Sequence, residues 1–156
     1  MAEIDKGKIL RDAFEYQRKG QHDRAIDELR KILKVQPADT RTLQKIAELQ
    51  SKKGDRKEAI KSYTQLAGIY EKDGFIDFAI SVYKTVLKMD HGLLDIHLRL
   101  GNLYLKKNLR GEALASFQTA LKLCGESNER EKEEILEKII EANPGDISAI
   151  ECLAGL

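Results

Sequence analysis

Four turn-forming residues, Gly20, Gly54, Gly74 and Asn108, are separated by 34, 20 and 34 positions, and each is followed five residues later by an alanine: Ala25, Ala59, Ala79 and Ala113. A fifth turn is expected near Asn128, 20 positions beyond Asn108, with Glu133 in the alanine's place. One helix-turn-helix pattern therefore recurs with two alternating spacings. A chain with such a period is built from helical hairpins that bury their apolar faces against their neighbours, and this excludes most enzyme architectures.

The apolar residues between the turns predict nine helices, over 6–19, 22–35, 39–53, 55–73, 75–90, 93–107, 110–124, 128–142 and 146–156. In the second, Ala25, Ile26, Leu29, Ile32 and Leu33 recur at helical spacing; in the fifth, Phe78, Ala79, Val82, Tyr83, Val86 and Leu87 do so. Each set makes one apolar stripe on a helix of about 3.6 residues per turn. Gly at a turn supplies the left-handed conformation that ends a helix, and Lys19, Lys53 and Lys107 just before the turns complement the helix dipole. Asp23, Asp55 and Asp77 stand near the next helix starts, where a carboxylate can cap free N–H groups. Pro37 and Pro144-Gly145-Asp146 mark stop-then-start turns. No strand period runs for a useful length. Short connections make successive helices antiparallel neighbours. The expected architecture is an all-α antiparallel helical-repeat solenoid, one domain over 1–156, with membership in a longer array left open.

Charged residues make up 34% of the chain, which suits a thin repeat array with much surface per residue. The net charge of +1 argues against nucleic acid as the main partner. The charge is uneven, about +4 over the first 53 residues and about −4 from Gly125 to Asn143. No run approaches the length of a membrane span, and the polar start Met1-Ala2-Glu3-Ile4-Asp5-Lys6 does not read as a secretory signal. Cys124 and Cys152 share no short spacing and read as reduced thiols of a cytoplasmic protein.

Residues His97-x2-Leu100-Gly101-x2-Tyr104 followed by Ala113-x3-Phe117 resemble the tetratricopeptide repeat. Tyr63-x2-Leu66-Ala67-x2-Tyr70 with Ala79-x3-Tyr83 is a second copy, Leu43-x2-Ile46-Ala47 with Ala59-x3-Tyr63 a third, and Ile9-x2-Asp12-Ala13-x2-Tyr16 with Ala25-x3-Leu29 a fourth. His97 replaces the usual tryptophan, and Asp12 an apolar residue. Small residues at Ala13, Ala47, Ala67 and Gly101 let helices approach closely, while Tyr16, Tyr63, Tyr70, Tyr83, Tyr104 and Phe117 fill the space between layers. The 20-residue spacing makes Tyr63 and Leu66 the end of one copy and the start of the next, giving a three-helix unit of about 54 residues that resembles bacterial arrays with a shared helix.

The resemblance implies a non-catalytic protein-interaction scaffold without cofactor or metal. His22, His91 and His97 lie on different predicted elements, and no phosphate-binding, dinucleotide-binding or zinc-protease motif occurs. The family's groove positions fall on Leu10, Arg11, Phe14 and Arg18, on Arg41, Gln44, Lys45, Glu48 and Lys52, and on Leu98, Arg99, Asn102, Leu105 and Lys106. This mixture suits an acidic, apolar segment of a partner protein. The chaperone-tail clamp of some relatives is not expected, because Leu10 and Phe14 occupy the places of its Lys and Asn. Two alternatives stand beside this. One is self-association through the stripe Ile147, Ile150, Leu153 and Leu156; the other is a regulatory domain docking a signalling protein such as a small GTPase.

Overall fold

The computed structural model describes residues 4–125 and 128–156. Among these are nine helices and no strand: α1 (Lys6–Arg18), α2 (His22–Val35), α3 (Thr40–Lys53), α4 (Arg56–Lys72), α5 (Ile76–Met89), α6 (Leu94–Lys106), α7 (Arg110–Cys124), α8 (Glu129–Ala142) and α9 (Ile147–Ala154). This is the expected all-α helical-repeat fold, with every boundary within two residues of the sequence reading. The chain falls into two compact units, one ending at Met89 and one spanning Asp90–Leu156.

The turns explain the spacing. Gly20, Gly54, Gly74 and Asn108 all have positive φ, at 71°, 87°, 80° and 59°. A left-handed residue reverses the chain within two or three positions, and Asn tolerates that conformation better than other side chains with a Cβ. Of the carboxylates expected near helix starts, Asp55 caps α4 by accepting from the Glu58 backbone N–H at 3.3 Å. Asp23 and Asp77 lie beyond the capping position, as the second residue of α2 and of α5. Asp23 instead accepts from Lys53 Nζ at 2.5 Å, tying the start of α2 to the end of α3. The turn expected near Asn128 falls partly on 126–127, outside the described residues; Asn128 itself caps α8.

In the first unit Ile9 and Ala13 of α1, Ala25, Ile26, Leu29 and Ile32 of α2, and Ile46 and Leu49 of α3 form one buried cluster. The 17-residue α4 packs against both α3 and α5, the shared role that the 20-residue spacing implies. In the second unit α7 packs against α6 and α8, and α8 against α9. Gly101 lets α6 approach α7 closely: a Cβ placed there would stand 2.3 Å from Cε1 of the fully buried Phe117.

The aromatic residues divide. Tyr83, Tyr104 and Phe117 are buried as expected, whereas Tyr16, Tyr63 and Tyr70 are half-buried. Phe78, read as part of the α5 stripe, is 60% exposed. It lies about 100° around the helix from Ala79, which with Tyr83 and Val86 forms the buried face. Helical spacing admits Phe78 to the stripe's edge, which the described residues leave mostly exposed, with Tyr70 of α4 against one side of the ring.

Candidate partner-binding faces

The candidate residues lie in both units. On α1, Arg11, Phe14 and Arg18 are exposed, Phe14 by 52%, with Leu10 beside them. On α3, Arg41, Lys45 and Lys52 are exposed, as are Gln44 and Glu48, which bond to each other at 2.9 Å. Spacings of three, four and seven place each set on one side of its helix. The two helices are joined at their starts by Lys6, whose Nζ donates to the Asp39 carboxylate and, at 3.2 Å, to Gln36 Oε1. Burial pushes the Asp39 carboxyl up, but the Lys6 ammonium and the donors of Thr42 outweigh it and hold Asp39 below the ordinary carboxylate range.

The electrostatics distinguish the cations. Arg18 pairs with Glu15 at 3.5 Å, within its own helix. Arg11, Arg41, Lys45 and Lys52 form no ion pair with any described residue. An unpaired exposed cation beside an exposed ring can pair with a carboxylate while the ring takes an apolar side chain. In the second unit the face on α6 is less open. Leu98 and Asn102 are half-buried, Lys106 is exposed, and Arg99 is exposed but donates to Asp95 at 3.0 Å. His97, at the tryptophan position, is half-buried, with Nε2 3.1 Å from the His91 carbonyl oxygen.

The third candidate set is on α9. Ala149 is the buried residue of that helix, while Ile147 and Ile150 are 69% and 44% exposed and Leu153 is half-buried. The stripe therefore points away from α8. Cys124 and Cys152 are free and half-buried. Burial, then its hydrogen bond to Glu131, pushes the Cys124 thiol up, away from thiolate chemistry. Among the described residues no group of His, Cys, Asp or Glu is placed to hold a metal ion, and no helix is long and apolar enough to cross a membrane.

One exposed feature escaped the sequence reading. Tyr70, Phe75 and Phe78 meet at the α4–α5 turn, with ring centroids 5.4 to 6.4 Å apart. Aligning the four turns residue by residue would have found it, because Phe78 stands where the other turns carry Arg24, Glu58 and Glu112.

Comparison with known proteins agrees with this architecture. Two family models described as tetratricopeptide repeat match the chain, one over residues 42–76 and the other over 13–39 and 94–127, together more than half of it. Among solved structures, one titled "Crystal structure of MamA" is similar with a TM-score of 0.53 and 18% identity, over 98% of this chain and 93% of that one. A second, titled "Crystal structure of MamA protein", gives 0.50 and 17%, over 93% and 86%. At such identity the likeness concerns the fold alone. A comparison with curated protein sequences finds no match. The matched stretches coincide with α1–α2, α3–α4 and α6–α7, the hairpins that the turn spacing marks out, and the chain belongs to the tetratricopeptide repeat family.

Proposed function

We propose that this chain is a non-catalytic scaffold that holds an acidic, partly apolar segment of a partner protein on the exposed faces of α1 and α3 in the first unit. The observation that carries this reading is the set of cations without ion pairs, Arg41, Lys45 and Lys52 on one side of α3 and Arg11 on α1, the last on the same side of its helix as the half-exposed Phe14. Keeping several like charges on one side of a helix is electrostatically unfavourable, and carboxylates from a partner relieve it. The test is titration with a fluorescein-labelled synthetic peptide alternating Glu and Leu, at low and at physiological salt. Arg41→Glu with Lys45→Glu should weaken binding about tenfold or more, and salt should weaken the wild type more than the variant. Unchanged affinity in the double variant removes this reading.

A second reading, self-association, is favoured by the outward stripe on α9. A groove of about 460 Å³ on the first unit, with Ile4, Ile9 and Val35 in it and Lys31 and Lys34 on its edge, offers a complementary surface for the α9 of another copy. Light scattering over a concentration series tests it. A monomer throughout removes it, and an oligomer dispersed by Ile147→Glu with Ile150→Lys supports it.

A further inference from the structure

The repeat supplies its own control for the aromatic corner. Position by position, the turns read Gly20-Gln21-x2-Arg24-Ala25, Gly54-Asp55-x2-Glu58-Ala59, Gly74-Phe75-x2-Phe78-Ala79 and Asn108-Leu109-x2-Glu112-Ala113. All four form the same left-handed reversal and bury the same alanine completely. The reversal therefore does not require an aromatic residue at either variable position. Yet Phe75 and Phe78 are 55% and 60% exposed, in contact with each other and with Tyr70. Several large rings held together in water cost solubility without serving the turn, which is the signature of a contact surface.

The chain also indicates what such a ring accepts. Tyr16 stands four residues before Gly20, as Tyr70 does before Gly74, and Arg24 stands at the position of Phe78. At the α1–α2 turn the Arg24 guanidinium lies over the Tyr16 ring, 5.9 Å from its centroid. At the α4–α5 turn the place of that arginine is taken by Phe78, tilted against Tyr70 at 5.4 Å. The faces of the cluster are electron-rich, and the neighbouring charges add to the effect. Residues 70–78 carry Asp73 and Asp77 against Lys72, with Glu71, which accepts from the Tyr83 hydroxyl at 3.2 Å, so that the stretch is net negative. Ring quadrupoles and carboxylates both attract a guanidinium, which can stack and hydrogen-bond at once.

We propose that the Tyr70–Phe75–Phe78 corner is a docking site for an arginine-bearing basic segment of a partner protein. It is separate from the cationic α1–α3 face and of opposite preference, so the chain would hold two partners of unlike charge. The proposal does not depend on that face binding anything.

The test uses the full chain and the variant Phe75→Asp with Phe78→Glu, which gives the α4–α5 turn the residues of the α3–α4 turn. The probe is a fluorescein-labelled synthetic peptide alternating Arg and Leu, with matched peptides carrying Lys or the neutral Gln in place of Arg. The wild type should bind the Arg peptide about tenfold more tightly than the Gln peptide, with the Lys peptide between them. The variant should lose about tenfold for the Arg peptide, although it adds negative charge that would strengthen a merely electrostatic attraction. Phe78→Arg, which restores the pairing seen at Tyr16, should block the peptide as well and keeps the proposal testable if the double variant does not fold. Equal affinity of variant and wild type for the Arg peptide overturns the proposal, as does equal affinity of the wild type for the Gln peptide. A wild-type dimer in sedimentation that the double variant dissolves also overturns it, since a second copy would then be the occupant.

Discussion

The α3–α4 and α6–α7 hairpins, both matched by the family, are held together at different places. In the first, both helices start on an aspartate: Asp39 accepts from the Thr42 N–H at 2.8 Å and Asp55 from the Glu58 N–H at 3.3 Å. The reversal is Gly54. Its interior includes the buried polar residues Thr42, Gln50 and Ser62. In the second, both helices start at leucines, Leu93 and Leu109, without side-chain caps, and the reversal is Asn108. Its interior compensates, with Ile96, Leu100, Leu103, Tyr104 and Phe117 buried and Gly101 pressed against the Phe117 ring. Both hairpins have an apolar interior, Leu43, Ile46, Leu49 and Leu66 in the first; the first adds capped helix starts and buried polar residues, the second larger rings and a closer helix approach. The family pattern specifies sizes at a few positions and leaves the rest of the free energy to be distributed freely.

The comparison can be broken first at its large residues. Phe117→Ala should cost about 3–5 kcal/mol, from lost transfer and an unfilled cavity. Tyr63→Ala at the same register in α4 should cost distinctly less, because Tyr63 is only half-buried. Denaturant unfolding measures both, and equal losses would mean that the two interiors are equivalent after all. Gly101→Ala should cost about 1–3 kcal/mol despite alanine's better helix propensity, since the new Cβ meets a ring with nowhere to move. Adding Phe117→Leu, which copies the Ala13 and Leu29 pair of the α1–α2 hairpin, should recover part of that loss. If the single variant is as stable as the wild type, the close approach does not matter energetically.

The helix ends should respond in the opposite sense. Asp39→Ala should cost about 1 kcal/mol through the lost cap, whereas Leu93→Asp should gain up to about 1 kcal/mol by supplying one. The charge of Asp39 adds a pH dependence. Its pKa is lowered in the fold, so its contribution is present above the unfolded value of about 4 and is lost as pH falls through the folded value. Asp39→Asn keeps a capping oxygen and removes the charge, so thermal melts of this variant should depend less on pH in the acid range; an unchanged profile would show that the Lys6 pairing contributes nothing. The smallest effect is expected at the turn, where Asn108→Gly should change stability by a few tenths of a kcal/mol and Asn108→Ala should cost about 1 kcal/mol.

Much of this was legible in the residues themselves. The positive-φ positions, the helix limits and the shared α4 follow from turn chemistry and helical period, both of which act within a few residues. The family resemblance, seen in the residues of α1 through α7, is borne out by the matched stretches. Other features depend on which surfaces meet. Asp23 and Asp55 stand near helix starts in the same way, but only Asp55 reaches the capping position, while Asp23 binds Lys53 from another helix. Phe78 and Tyr83 both fit the apolar period of α5, yet one is exposed and the other fully buried.

The sequence by itself determined the hairpins, their reversals and the small-against-large pairing inside them, because those depend on backbone conformation and side-chain volume at short range. Only the tertiary structure decided which cations stand without ion pairs, which edge of the α5 stripe is left uncovered, that three rings gather at one corner, and that the chain divides between Met89 and Asp90. Exposure and pairing are properties of neighbours brought from elsewhere in the chain, and periodicity within one helix carries no information about them.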